Sequence, residues 1–182
     1  MRYLATVCAL AFILAVPVLA QDAPKAEIFG GYNYMRFNPG LVNEPAIGLN
    51  GIRVSGAYYI EPKIGIVADF AFNHNGNANN SGTSFNTSTY MFGPRYAYRV
   101  DRVTPFAQFL VGGAHASASQ AGVTASWNAF AMALGGGLDL QATKRISIRP
   151  FQFEYLMTRF KSTDFATTQN NVRISAGVVF NF

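Results

Sequence analysis

The chain has few charged residues, a single cysteine and, beyond residue 20, no long uninterrupted apolar run. Asp, Glu, Lys and Arg make up 13% of its 182 residues, against roughly 25% in soluble domains. The cysteine, Cys8, lies near the amino terminus, so the rest of the chain has neither a thiol nor a disulfide. A membrane-spanning helix needs about 18 apolar residues in a row. These absences exclude a disulfide-rich secreted domain and a helical membrane protein.

The first twenty residues have the features of a secretory signal peptide. Arg2 is followed by an apolar run over 3–19, and Ala20 ends the run before a polar stretch. A positive start, a short apolar centre and a small residue at the junction are typical of a cleaved signal. We therefore predict a signal peptide at 1–20 and a single domain at 21–182.

Apolar side chains occupy every second position of the last twelve residues. The apolar set is Val172, Ile174, Ala176, Val178, Phe180 and Phe182. Apart from Val179, the residues between them are polar or small. Strict alternation is typical of a strand whose two faces lie in different environments. Because the apolar set runs to the carboxyl terminus, we interpret this segment as the closing strand of a barrel in lipid.

Seven similar segments precede it. The eight predicted strands are Glu27–Phe37, Gly48–Ile60, Ile64–Asn73, Thr87–Arg99, Pro105–Ala116, Trp127–Leu140, Ile146–Arg159 and Asn171–Phe182. The segments are long enough for tilted strands to cross a bilayer, which takes about 9–11 residues. The pattern predicts an all-β fold, a transmembrane antiparallel up-and-down eight-stranded barrel.

The connections between these strands alternate in length. The predicted long connections are Asn38–Ile47, His74–Asn86, Ser117–Ser126 and Phe160–Asn170, and the short ones are Glu61–Lys63, Val100–Thr104 and Gln141–Arg145. Outer-membrane barrels have long loops outside and tight turns in the periplasm. We therefore expect both termini in the periplasm of a Gram-negative bacterium. The Asn-rich stretch 73–82 is predicted to be a mobile surface loop.

The composition of the two faces indicates which one is inside. One face of the sixth predicted strand has Phe130, Met132, Leu134, Leu138 and Leu140, and the other has Ala129, Ala131, Ala133, Gly135, Gly137 and Asp139. Small residues suit the interior of a narrow barrel that side chains just fill. Applied to all strands, this assignment predicts a lumen charge network of Arg53, Asp69, Arg95, Asp139, Arg149, Glu154 and Arg173, with Glu27 near the rim. The opposite parity would turn each arginine to lipid. Each would then destabilise the barrel by roughly 2–4 kcal/mol at the bilayer midplane.

Two further features follow from this parity. Arg149 and Gln152 both belong inside but differ in parity, so we predict a β-bulge at Pro150–Phe151, where a proline is tolerated. Aromatic residues near strand ends suit the headgroup level of a membrane. The predicted aromatic girdle comprises Tyr58, Tyr59, Tyr98, Trp127 and Tyr155.

The chain resembles the OmpA/OmpX-like family of eight-stranded outer-membrane barrels. The resemblance is carried by Phe92–Tyr96, Pro105–Ala107, Val111–Ala114, Leu134–Asp139, Arg149–Pro150 and Val178–Phe182. It implies that Val178, Phe180 and Phe182 form the signal read by the barrel-assembly machinery, with periplasmic chaperones as further partners during biogenesis. Many OmpA proteins bind the cell wall through a periplasmic peptidoglycan-binding domain. We expect no such domain after Phe182, so the resemblance does not imply cell-wall anchoring for this chain.

One pair of residues suggests catalysis. His115 and Ser117 share a face of the fifth predicted strand, and lipid A deacylases are similar barrels with a histidine and a serine at this spacing. A serine hydrolase also needs an acidic group to orient the imidazole. The next acidic residue, Asp139, is predicted near the opposite end. Without an acidic group near His115 and Ser117, we predict no catalytic residues. His74 has no second histidine or cysteine nearby, so we predict no metal site, and we expect no cofactor.

The lumen charges are compatible with two functions. They can form a paired network that plugs the barrel, or line a narrow porin-like pore for small solutes. Side chains normally fill an eight-stranded lumen. We therefore expect a monomeric structural or interaction protein that contacts outer-membrane lipids and presents loops to extracellular ligands. The alternatives are the narrow pore and, more remotely, a lipid A-modifying hydrolase. The scattered arginines do not indicate a nucleic-acid partner.

Overall fold

The computed structural model describes residues 24–39, 45–78, 82–161 and 166–182. The strands are β1 (Ala26–Phe37), β2 (Ile47–Tyr59), β3 (Ile64–Ala78), β4 (Thr83–Ala97), β5 (Val103–Gln120), β6 (Val123–Gln141), β7 (Ile146–Lys161) and β8 (Ala166–Asn181). They follow one another around a closed antiparallel barrel in which β8 pairs with β1. The predicted fold class and strand count are confirmed. The predicted signal peptide, at 1–20, lies outside the described residues. Within those ranges no helix is long and apolar enough to cross a membrane.

The burial of side chains alternates along each strand as the sequence does. In β3 the exposed side chains include Ile64, Ile66, Phe70 and Phe72, while Asp69 between them is buried. The interior holds such buried charges together with an apolar cluster that includes Met35, Leu110 and Leu156. An apolar exterior around buried charges reverses the arrangement of a soluble protein and matches a barrel wall that faces lipid. The alternation of the sequence therefore sets which face of each strand is turned outward.

The barrel closes along the β1–β8 seam, where two glycines meet. Gly31 of β1 and Gly177 of β8 are register partners. A Cβ atom on Gly31 would lie 2.8 Å from the Cα atom of Gly177, which is too close for any side chain. The two strands can therefore approach at this height only because both residues are glycine.

The two ends of the barrel differ. The connections at 60–63, 98–102 and 142–145 lie at the same end as both termini, which we call the turn end. The four other connections lie at the opposite end, which we call the hairpin end. The placement of both termini at one end follows from the even number of strands.

Three connections at the hairpin end are shorter than predicted because the strands continue further. β5 and β6 remain paired to Gln120 and Val123, around a turn in which Ala121 and Gly122 have φ angles of 49° and 83°. Positive φ at both central residues is typical of a type I′ hairpin turn. The sequence obscured this extension, since the pairing continues through Ser, Thr and Ala residues that show no apolar alternation.

The Asn-rich stretch is likewise largely strand rather than loop. β3 continues to Ala78 and β4 begins at Thr83, with a register shift between Asn75 and Ala78. The prediction of a mobile loop is wrong for the described part of this stretch, and residues 79–81 lie outside the described ranges. The segment is ordered by backbone hydrogen bonds and by the Asn75 side chain, which donates to the Gly48 carbonyl at 2.7 Å. Ala78 and Phe85 are also buried in the apolar cluster of the lumen.

The predicted bulge in β7 is confirmed. The β7–β8 register shifts between Arg149 and Gln152, and both side chains are buried while Phe151 between them is exposed. The extra residue lets two residues of opposite parity reach the lumen. The bulge therefore brings Arg149 into the same interior as Glu154.

Candidate functional site

Two arginines and two carboxylates form a closed ring in the middle of the lumen, which we call the central cluster. Arg53 of β2 donates from Nε to Asp69 of β3 at 2.6 Å and from Nη1 to Glu154 of β7 at 2.7 Å. Arg173 of β8 donates to the same two carboxylates, at 2.7 Å to Glu154 and 3.1 Å to Asp69. All four side chains are fully buried. Each charge is thus satisfied by two opposite charges, as burial in a low-dielectric interior requires.

A second ion pair lies nearer the turn end. Arg149 donates to both carboxylate oxygens of Asp139, at 2.6 and 2.8 Å, and to the Gln152 side chain at 2.9 Å. This bidentate geometry is the strongest form of an arginine–carboxylate contact. The pair depends on the β7 bulge, because a regular strand would turn either Arg149 or Gln152 to lipid.

The third cluster surrounds Glu27 at the turn end. Its carboxylate accepts from Arg95 at 3.3 Å, from Arg99 at 3.0 Å and from the Tyr59 hydroxyl at 3.0 Å. The prediction that Tyr59 belongs to the aromatic girdle is wrong, because it is buried and shares the inward parity of Arg53. The other four members of the predicted girdle do face outward: Tyr58, Tyr98, Trp127 and Tyr155.

Two buried glutamines connect the three clusters. Gln108 accepts from Arg95 at 2.7 and 2.9 Å and donates to Glu154 at 2.8 Å. Gln152 accepts from Arg149 and donates to Glu154 at 3.1 Å. Gln108 was not among the predicted lumen residues, although a glutamine at an inward position of β5 could have indicated it. The amides join the ion pairs into one network without adding charge.

The buried charges of the described residues balance. They are Arg53, Arg95, Arg149 and Arg173 against Glu27, Asp69, Asp139 and Glu154. The structure thus places all seven predicted lumen residues in the interior and adds Glu27 as the eighth. A neutral interior avoids the penalty of an uncompensated buried charge.

Aromatic rings stack on the guanidinium groups of this network. The Phe106 ring lies between Arg95 and Arg149, 4.5 and 4.3 Å from their guanidinium carbons, and Phe29 covers the other face of Arg149 at 4.5 Å. Stacked arginines gain cation–π attraction that is largest when the groups are desolvated. The column of two rings and two guanidinium groups fills the lumen on the turn-end side of the central cluster.

Two cavities lie beside these side chains. A cavity of about 80 Å³ opens at the turn end, next to Glu27, Arg99 and Asp139. A second, of about 10 Å³, lies in the hairpin-end half beside Met35 and Thr87, and is at the lower limit for one water molecule. Between the two cavities the space is occupied by the paired charges. Such an arrangement can hold the barrel rigid and obstruct passage of solutes.

The histidine and serine of the hydrolase hypothesis lie on the outer face of the barrel. The His115 ring bonds through Nδ1 to the Asn128 side chain at 2.9 Å, and Ser117 is the register partner of Ser126. His74 bonds in the same way to Asn86 at 2.6 Å. Within the described ranges no three His, Cys, Asp or Glu side chains are grouped to hold a metal ion.

The residues of the expected assembly signal lie at the end of β8. Val178 and Phe180 are exposed on the outer face, and the carbonyl of Phe182 accepts from the backbone of Lys25 at 2.9 Å. The carboxyl terminus is thus hydrogen-bonded to the start of β1.

Comparison with known proteins agrees with this architecture. The family model described as the outer membrane protein beta-barrel domain matches residues 6–182. Neisserial surface protein A has a TM-score of 0.69 at 15% identity, over 89% of this chain and 100% of its own. Ail, the attachment invasion locus protein of Yersinia pestis, has a TM-score of 0.61 at 17% identity, over 88% and 99%.

The N-terminal β-barrel domain of OprF from Pseudomonas aeruginosa is also similar, with a TM-score of 0.53 at 12% identity, over 88% of this chain and 100% of its own. At these identities the solved structures show a shared fold. No curated protein matches the chain in sequence.

Proposed function

Since the chain belongs to the outer membrane protein beta-barrel family and is an integral protein of the bacterial outer membrane, we propose that it serves as a structural and adhesive surface protein. In this role the closed barrel anchors the protein in the membrane. The hairpins beyond the membrane make contacts with ligands outside the cell. We further infer that it is a monomer with both termini in the periplasm, assembled through Val178, Phe180 and Phe182.

The paired, filled lumen is the observation that carries this proposal. Glu154 alone accepts from the side chains of Arg53, Arg173, Gln108 and Gln152. Moving Arg53 or Arg173 to admit a solute would take one arginine partner from both Glu154 and Asp69, at a cost of several kcal/mol in folding free energy. A rigid plug of this kind favours an anchoring role over the transport of solutes.

The β5–β6 hairpin supports the adhesive part of the proposal. Its segment Val123–Asn128 is exposed at every residue, whereas Ala116 and Ala118 on the facing strand pack into the lumen. The β6 side of this hairpin is therefore open to ligands. In outer-membrane barrels the long excursions of the chain face the exterior. Although its turn has only two residues, the paired strands of this hairpin extend beyond the apolar alternation to Gln120 and Val123, which would direct it away from the cell. The similarly folded Ail bears the description of an attachment protein and was crystallised with a heparin analogue, sucrose octasulfate.

The two alternative functions have less support. A pore needs a continuous path, and the described cavities of about 10 and 80 Å³ lie on opposite sides of the charge network. A serine hydrolase needs a carboxylate that orients the imidazole, and His115 bonds to the neutral side chain of Asn128 instead.

Shortening the β5–β6 hairpin tests the adhesive role. Ala116 and Trp127 are register partners, so replacing 117–126 by Asn-Gly should close a two-residue turn at a natural position. We expect host cells that express the full chain to adhere to matrix-coated plates, and cells that express the shortened chain to lose this adhesion.

A matched control changes the opposite end of the barrel. Replacing Thr143–Lys144 by Asn-Gly introduces the same turn sequence at the turn end and should leave adhesion intact. Both variants must show heat-modifiable gel mobility, which reports a folded barrel. Equal adhesion with the shortened and full chains, or none with either, would contradict the adhesive role.

A further inference from the structure

The apolar outer wall ends at the hairpin end in a belt of polar side chains, which we call the outer polar ring. It comprises Arg36, Asn50, His74, Asn86, His115, Asn128, Arg159 and Asn170, one from each strand. On the turn-end side of the ring the outward residues are apolar or aromatic, as with Tyr34, Phe72 and Phe130. The ring therefore marks the height at which the wall passes from acyl chains to headgroups.

Most of the ring is neutral and hydrogen-bonded within the barrel. His74 bonds to Asn86, His115 bonds to Asn128, and the Tyr32 hydroxyl donates to Asn50. Each pair joins the two strands of one hairpin. These side chains satisfy one another and need no further partner at the membrane surface.

Arg36 and Arg159 are the exceptions. Both are exposed on the outer face, and within the described ranges no carboxylate contacts either one. They flank β8, since Arg36 is the register partner of Val172 and Arg159 that of Thr168. The ring thus has one positively charged sector, across β7, β8 and β1, with no described acidic residue on its surface.

Asn170 lies between the two arginines, and among the described residues no acceptor contacts its amide nitrogen. Its side-chain oxygen accepts from the Tyr155 hydroxyl at 2.6 Å, so its amide nitrogen is left to donate outward. Two guanidinium groups and an amide turned to the same surface offer only donors. Donors of this kind bind phosphate oxygens, and arginine does so with two parallel hydrogen bonds.

We propose that Arg36, Arg159 and Asn170 bind the phosphorylated headgroup of a glycolipid in the outer leaflet. The register partners of the two arginines are four residues apart along β8, about 13 Å, and the arginines lie on strands about 10 Å apart across it, so their Cα atoms are about 16 Å apart. A headgroup with two separated phosphates spans this distance better than a single phosphate. The inference rests on the proposed outward direction of the hairpin end, because only then does the sector face the outer leaflet.

Lipid retention tests this site directly. The full chain is folded into nanodiscs of phosphatidylcholine with bis-phosphorylated lipid A, and the lipid A kept after transfer to detergent is counted by native mass spectrometry. We expect the Arg36→Gln/Arg159→Gln variant to retain at least about tenfold less than the parent, since it loses two charge-assisted contacts. Lipid A without phosphates should be retained poorly by both proteins.

Two exposed cations at the turn end provide the control. Arg102→Gln/Lys144→Gln removes the same charge from the other end of the barrel, and should retain lipid A as the parent does. Equal retention by the ring variant, an equal loss in the control, or equal binding of dephosphorylated lipid A would overturn the proposal. Cell adhesion is a separate measurement, so its failure would overturn the adhesive role and leave selective lipid A retention standing.

Discussion

Glu154 is the side chain on which most of the lumen contacts converge. It accepts two hydrogen bonds from Arg53, one from Arg173 and one from each of Gln108 and Gln152. These donors come from β2, β5, β7 and β8, so a single carboxylate ties together four strands. Removing one partner of a buried ion pair lowers the free energy of unfolding far more than removing an exposed charge does.

Glu154→Gln tests this role at the scale of one residue. Gln preserves the volume but removes the charge, which leaves two buried arginines with Asp69 as their only carboxylate partner in the cluster. We expect the free energy of unfolding to fall by about 3–5 kcal/mol. Urea titration of the barrel in lipid vesicles, followed by Trp127 fluorescence, measures the loss.

Glu61→Gln is the matched control, because Glu61 lies exposed in a turn. Its unfolding free energy should change by less than about 0.5 kcal/mol. If both variants unfolded at the same urea concentration as the parent, Glu154 would not stabilise the barrel.

At the scale of an element, β7 shows how one extra residue reconciles two parities. Arg149 reaches Asp139, and three residues later Gln152 reaches Glu154, although an unbulged strand would send the two side chains to opposite faces. Pro150 has no backbone N–H to leave unpaired in the lipid. The bulge lets both polar residues lie in the lumen.

Deletion of Pro150 should leave the barrel folded. The deletion removes the extra residue of the bulge, so Arg149 and Gln152 stand two positions apart and share the inner face of a regular strand. We expect the variant to keep the heat-modifiable band on SDS gels. Deletion of Phe153, outside the bulge, is the control: it would put Gln152 and Glu154 on opposite faces, turn one of them to lipid and remove the band. Loss of the band in both variants would contradict this account of the bulge.

At the scale of the whole molecule, eight strands enclose an interior that is electrically neutral and nearly full. The barrel has no free edge along its wall, since β8 pairs with β1, and closure satisfies the backbone within the lipid. Four arginines and four carboxylates then occupy the space that water would otherwise take. The closed wall thus satisfies the backbone within the lipid, and the inner network keeps the charged side chains away from it.

A filled lumen should not conduct. We expect no discrete current steps from the purified chain in planar bilayers, because the side chains of a barrel this narrow occupy its interior. Steps in the parent that change with Arg95→Ala, but not with Arg102→Ala at the exposed turn, would show a path through the charge network. That result would favour the pore over the plug.

Several features of the barrel were determined by the sequence alone. Strand number, the identity of the inward face and the bulge at Pro150 all follow from local patterns, because a charged side chain cannot face acyl chains without a large cost. The seven predicted lumen charges could be named for the same reason. The apolar alternation that ends at Phe182 was already sufficient to indicate a closing strand.

Only the tertiary structure decided which of those charges meet. Arg53 bonds to Glu154, a residue 101 positions away, and that pairing depends on how far the strands are staggered around the closed barrel. The linking role of Gln108 depends on the same stagger, whereas the inward placement of Tyr59 follows from its parity with Arg53 and could have been read from the sequence. The strands at the hairpin end run past the membrane through residues without alternation, where pairing is set by the partner strand and not by a difference between two environments.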